Sequence, residues 1–223
     1  YTLISRISGY LRDILIAIFL GSGPVADAFF VAFRIPNTFR RLFGEGSFNA
    51  AFVPSYSKEL VKGKIKSDNF ANNIFNLLTI FLLALVLLVE LFMPVFVSLI
   101  APGFKSNPEK FALATQLTKI TFPFILFVSL ASFFSAILNS HNRFAAASAA
   151  PIILNLVMIG ILVFGKILGE KLVIFLSYGV SIAGIIQAVF LVIFVKRFFK
   201  PKLKFNFNIT KDVKSVSYTH LRA

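Results

Sequence analysis

Four stretches of the chain run without a charged residue for the length of a membrane-crossing helix: residues 69–89, 120–142, 144–165 and 172–195, which are 21, 23, 22 and 24 residues long. Each matches the roughly 20 residues a helix needs to cross the hydrocarbon core of a bilayer. Two earlier stretches, about 2–20 and 25–57, are also apolar in the main but are broken by charge. Arg6, Arg12 and Asp13 interrupt the first, and Asp27, Arg34, Arg40, Arg41 and Glu45 the second. The pattern predicts six spans. Gly21-Ser22-Gly23-Pro24 makes a tight turn between the first two, and His141, Asn142 and Arg143 link the fourth and fifth as closely. Residues 101–119, with Pro102, Gly103 and Pro108, read as the longest connection, ending in a helical run into span four. After span six, Leu203, Phe205, Phe207 and Ile209 alternate with polar residues, the period of an extended or interfacial linker.

At 100° per residue, Ser5, Arg6, Ser8, Gly9, Arg12 and Asp13 share one side of span one, and Leu3, Ile4, Ile7, Leu11, Ile14 and Ile18 the other. In span two, Asp27, Arg34, Arg41 and Glu45 fall on one stripe by their spacings of seven and four, while Arg40 points elsewhere on an ideal helix. A central Arg or Asp opposes insertion by about 2.5–3.5 kcal/mol, against about 0.3–0.6 gained per Leu, Ile, Phe or Val. Such charges face a bundle interior or a water-filled cavity, where they mark substrate paths.

Composition makes this an all-α, polytopic membrane protein. Residues are 57% hydrophobic, with 29 Phe, and only 14% are charged, against the roughly 25% of a soluble domain. Mean hydropathy is +0.85. The net charge of +14 would suggest nucleic acid in a soluble chain, but its distribution follows topology instead. Lys58, Lys62, Lys64, Lys66, Arg143, Lys196, Arg197, Lys200, Lys202 and Lys204 collect on one set of loops, which the positive-inside rule makes cytoplasmic. Both ends of the fragment, which begins at Tyr1 with span one barely started, are therefore expected in the cytoplasm, and no nucleic-acid partner is expected. There is no cysteine, and the two histidines are far apart, so no metal site is expected. With no metalloprotease, hydrolase or phosphate-loop motif, neither catalysis nor a cofactor is expected.

Two readings of the charges stay open at this point. Asp13, Asp27 and Glu45 could neutralise three arginines as structural pairs. Alternatively, the excess of arginine could bind an anion, most naturally phosphate, whose oxygens a planar guanidinium grips in pairs without ever losing its charge. Gly44 and Gly46 flank Glu45 and would let the chain bend there as a gate, or would serve close helix packing.

The strings SRISGYLRD (5–13), DAFFVAFRIPNTFRRLFGEGSFNAAFVP (27–54), APGF (101–104), TQLTKITFPFILFVSLASFFSAILNSHNRF (115–144) and APIILNLVMIG (150–160) resemble the MurJ/MviN family of lipid II flippases, within the multidrug, oligosaccharidyl-lipid and polysaccharide exporters. The resemblance implies two six-helix lobes around a cationic cavity and a carboxy-terminal groove for the lipid tail. This chain corresponds to the amino-terminal lobe (1–195) and a basic cytoplasmic linker (196–216) toward a missing second lobe. Residues 217–223 read as a non-native tail. The implied activity is alternating-access movement of the lipid-linked peptidoglycan precursor from the inner to the outer leaflet of the bacterial cytoplasmic membrane. Membrane potential favours outward movement of an anion by about 2.3 kcal/mol per charge per 100 mV. Arg6, Arg12 and Arg40 would bind the diphosphate, with Asp13, Asp27 and Glu45 lining or gating the cavity. An exporter of another polyprenyl-diphosphate glycan, or of an amphiphilic drug, is the alternative.

Overall fold

A computed structural model describes residues 1–44 and 47–202, apart from the side chains at 36, 39–44, 47, 166 and 170. Among the described residues the α-helical stretches are α1 (Thr2–Leu20), α2 (Pro24–Gly44), α3 (Ser47–Val61), α4 (Lys64–Leu91), α5 (Met93–Ile100), α6 (Pro108–Thr121), α7 (Phe124–Ser140), α8 (Phe144–Val163), the short α9 (Gly165–Leu168) and α10 (Leu172–Val195). Four are long and apolar enough to cross a membrane: α4, α6 with α7 as one unit over Pro108–Ser140, α8 and α10. The charged helices α1 and α2 have 19 and 21 residues, enough length to cross as well.

Helix ends follow local chemistry rather than the limits of the apolar windows. Asn107 caps α6, its side chain accepting from the Lys110 N–H at 3.0 Å, and Pro108 occupies the first turn, where its missing N–H leaves no bond unmade. Span four therefore starts a full dozen residues before its charge-free window, and the connection that the sequence predicts over 101–119 is shorter. Pro123 separates α6 from α7. Gly63, at φ 116°, opens α4 in a backbone region closed to most residues. The stretch predicted over 25–57 is helical over Pro24–Gly44 and over Ser47–Val61. Glu45 and Gly46, between these two stretches, lie outside the described residues, as do 203–223, including the linker beyond Lys202 and the tail.

Tyr56 of α3, His141 after α7, Phe198 after α10 and Asn72 near the start of α4 meet at one end of the bundle, where Lys62, Lys64, Arg143 and Lys196 also fall. This is its basic end. Helices α1 and α8 run parallel from it, since Gly9 abuts Asn155 and Gly165 abuts Phe19. At the opposite end the start of α2 meets the start of α6 through Asp27 and Lys110.

The core divides in two. Toward the opposite end Phe29, Phe33, Met93, Phe122, Phe124 and Met158 pack together. Toward the basic end is a phenylalanine cluster centred on Phe133, whose ring meets Phe48, Phe52, Phe75, Phe134 and Phe199 at centroid distances of 5.2–6.4 Å. Among lipid tails burial itself drives little, so close packing and small residues hold helices together. Helix α10 lies along both α7 and α8. A Cβ on Gly184 would stand 2.7 Å from the buried Phe124 ring, so only glycine permits that approach.

Candidate functional site

Helix α1 inverts the usual arrangement of a soluble helix. Leu3, Ile4, Ile7, Leu11, Ile14 and Ile18 are all exposed, as lipid-facing residues would be, while Ser5, Ser8, Gly9 and Arg12 turn toward α8. Part of the polar arc read from the sequence is thus the packed face, while Arg6 and Asp13 on the same arc are exposed.

Asn155, a polar residue within an otherwise apolar stretch of α8, organises that face. It is 5% exposed. Its Nδ2 donates to the Ser5 carbonyl and the Ser8 hydroxyl, both at 3.0 Å, and its Oδ1 accepts from Arg12 Nη1 at 2.8 Å. The Arg12 side chain is 12% exposed, and its Nε and Nη2 both donate to Asp13 Oδ1, at 3.0 and 2.7 Å. The Phe33 ring of α2 lies 5.3 Å from its guanidinium carbon. One guanidinium edge is thus fixed by a neutral amide, and the other holds a carboxylate whose own side chain is 62% exposed.

Arg6 is exposed two turns nearer the basic end, on the same arc. Asp27 and Arg34, which share a stripe of α2, are both exposed. Among the described residues the partner of Asp27 is a lysine. Asp27 accepts from Lys110 Nζ, which also sits 4.2 Å from the centre of the Phe104 ring. Of the two carboxylates, Asp27 thus pairs with a lysine on α6 and Asp13 with Arg12. Arg40 lies on α2, but its side-chain position is not described, and Glu45 and Gly46 lie outside the described residues. Among the described residues no three His, Asp or Glu side chains converge as a metal site would require.

Sequence reasoning missed Asn155 and Lys110. A single asparagine among Leu154, Leu156 and Val157 is the available signal for the first. The second sits 83 positions from its partner in an exposed-looking connection, and nothing local announces it.

This bundle has the fold of one half of a multi-pass membrane transporter. It superposes on an inward-closed structure of lipid II flippase MurJ with a TM-score of 0.78 at 29% identity, covering 99% of this chain and 46% of that one. A MATE structure, at 16% identity and a TM-score of 0.71, shares the fold over 99% of this chain and 50% of its own. A family model described as lipid II flippase MurJ matches residues 16–221. A probable lipid II flippase MurJ of Rickettsia prowazekii is 41% identical over 197 residues, 88% of this chain and 38% of that protein. One of Rhizobium tropici is 45% identical over 191 residues, 83% of this chain and 36% of its own length. The chain belongs to the MurJ family and spans less than half the length of these relatives.

Proposed function

We propose that this chain is the amino-terminal lobe of a flippase that moves the lipid-linked peptidoglycan precursor, lipid II, across the bacterial cytoplasmic membrane by alternating access. The observation that carries the reading is Arg12, locked by Asn155 on the polar face of α1 and bearing an exposed carboxylate on its free edge. Asp13 occupies the place a phosphate oxygen would take, so an incoming diphosphate displaces one exposed anion and needs no new pocket. Arg6 adds charge on the basic-end side, and Arg40 is the third arginine of the set. Asp27 ties α2 to α6 through Lys110, a contact between elements that a rocking lobe would carry as one body.

The basic end faces the cytoplasm, in keeping with its lysines and arginines. The lipid tail stays in the bilayer, and the second lobe completes the cavity, as the share of each relative left uncovered suggests. The work is transport rather than catalysis, and the chain's charge serves topology and substrate rather than nucleic acid. Glu45, between Gly44 and Gly46, acts at the gate between the two open states.

Translocation by the full-length protein in vesicles tests the site. Arg12→Lys keeps the charge but cannot hold Asn155 and a phosphate together, so transport falls about tenfold or more, and Arg12→Ala falls further. Parental transport by Arg12→Ala at equal expression refutes the assignment.

A further inference from the structure

Two prolines interrupt helical hydrogen bonding where α2, α6 and α10 meet. Pro36 lies in α2 and has no N–H, so the carbonyl four residues earlier, on Ala32, has no partner in its own helix. Pro123 breaks the ladder between α6 and α7. Each gap is filled by a hydroxyl from a neighbouring helix. Thr121 of α6 donates to the Ala32 carbonyl at 2.9 Å, and Ser181 of α10 donates to the Ile120 carbonyl. Elsewhere in the bundle Thr79, Thr115, Thr118, Ser132 and Ser177 each bond the carbonyl four residues back in their own helix. Thr121 has a comparable option in the Thr118 carbonyl, but at 3.3 Å it is the longer contact. Ala32 and Thr121 are fully buried.

The stretch of α2 before Pro36 is thereby tied to α6 twice, through Asp27 and through Ala32, at points about 7.5 Å apart along the axis. Two ties fix its roll as well as its height. Phe33, next to Ala32, carries that setting to the arginine site, since its ring lies 5.3 Å from the Arg12 guanidinium carbon. A buried carbonyl released by a proline can be met by a neighbour's hydroxyl, which fixes the bend, or by water admitted through a wider one. We propose that Thr121 is a positioning residue: its hydroxyl sets the angle of α2 at Pro36, and with it Phe33 against Arg12 and the part of α2 that carries Arg40. Being fully buried, Thr121 acts through α2 and not by touching cargo. The proposal rests on the flippase reading only for what the arginines bind; the bend stands apart from it.

Spin labels on cysteines placed at the exposed Ile4 and Ala50 of the full-length protein measure how the chain beyond Pro36 sits against the arginine helix. A change of bend of roughly 10°, carried about 20 Å past Pro36, moves the second label by about 3–4 Å. Thr121→Val, which exchanges the hydroxyl for a methyl, should give such a shift and weaken binding of a polyprenyl diphosphate about fivefold or more. Thr121→Ser, which keeps the hydroxyl, should restore both. In a Pro36→Ala background an N–H returns to the Ala32 carbonyl, so adding Thr121→Val should change neither the distance nor the thermal midpoint further. An unchanged distance in Thr121→Val, a Thr121→Ser protein that behaves like it, or an equal added loss in the Pro36→Ala background overturns the proposal. So does parental binding by Thr121→Val where Arg12→Ala abolishes it. If Arg12→Ala binds like the parent, the flippase reading fails instead, and the distances alone decide for or against the bend.

Discussion

Asn155 is the residue whose replacement separates support of the arginine from binding by it. Asn155→Ala deletes three hydrogen bonds, two neutral and one from a guanidinium. At about 0.5–1.5 kcal/mol for each neutral bond and 1.5–3 for the charged one, the upper bound is about 2.5–6 kcal/mol. The Arg12 side chain is 12% exposed, so water can replace part of what is lost, and a loss of about 3 kcal/mol is expected. Asn155→Asp acts differently. It keeps an acceptor for Arg12 but gives up both donated bonds, and it adds a second carboxylate beside the guanidinium. A phosphate about 4 Å from that new charge meets a repulsion of about 4 kcal/mol at an effective dielectric of 20, and about 1 kcal/mol if water screens it fully. These bounds translate into a loss of affinity between about fivefold and a thousandfold. The assay is binding of a polyprenyl diphosphate to the full-length protein, read alongside its thermal midpoint in detergent. Asn155→Ala should lower the midpoint more than the affinity, and Asn155→Asp should do the reverse. Unchanged affinity in a folded Asn155→Asp protein would refute the placing of phosphate at Arg12.

Three further outcomes follow from other parts of the bundle. With cysteine introduced at the exposed positions Ser22 and Lys66, a membrane-impermeant thiol reagent added to intact cells should label the first and spare the second; the reverse pattern defeats the orientation. Burial holds the His141 imidazole below its ordinary pKa, with Asp68 opposing the shift and Lys64 adding to it, so the folded state binds fewer protons than the unfolded one. The contact of His141 with Tyr56 and Phe198 should therefore be at full strength above about pH 6.5 and weaken as pH falls below it, read as faster amide exchange at the α7–α8 turn; exchange insensitive to pH after correction for its intrinsic rate would overturn this. Gly184→Ala should destabilise the protein by about 1–3 kcal/mol because the Phe124 ring is fully packed, whereas Gly179→Ala, which meets only the terminal methyl of Ile161, should be close to neutral; equal thermal midpoints for the two variants would contradict the packing argument.

The apolar windows, the tight turns and the two-sided character of α1 were legible because each depends on residues close in sequence. The helix ends were less so. Helix α6 begins at an asparagine cap followed by proline, a signal that a scan for charge-free windows passes over, and the extra turns of α4 before residue 69 are polar ones beyond the apolar run. Long-range partners were hidden altogether. No period connects Asp27 to Lys110, or Arg12 to Asn155 across 143 positions, because those pairs come from how helices dock and not from what any one helix prefers.

Pairing is observed at Arg12, and under the proposed function it is compatible with anion binding, the other reading the charge pattern left open. A guanidinium on the packed face of a membrane helix is unfavourable without a counter-charge, and Asp13 provides one while the site is empty. Had that carboxylate been buried and fully bonded, expelling it would have cost as much as a phosphate could gain. It is instead largely exposed and lies on the helix beside the arginine, so it can rotate into water when a diphosphate arrives. Asn155 cannot be displaced in the same way, because its other two bonds, to the Ser5 carbonyl and the Ser8 hydroxyl, do not involve Arg12 and survive an exchange there. Under the proposed function the arginine keeps its position through both states, and only its outer partner changes. A site that must release its cargo on the far side needs this property, since a guanidinium free to follow the phosphate would hold it too tightly to let it go.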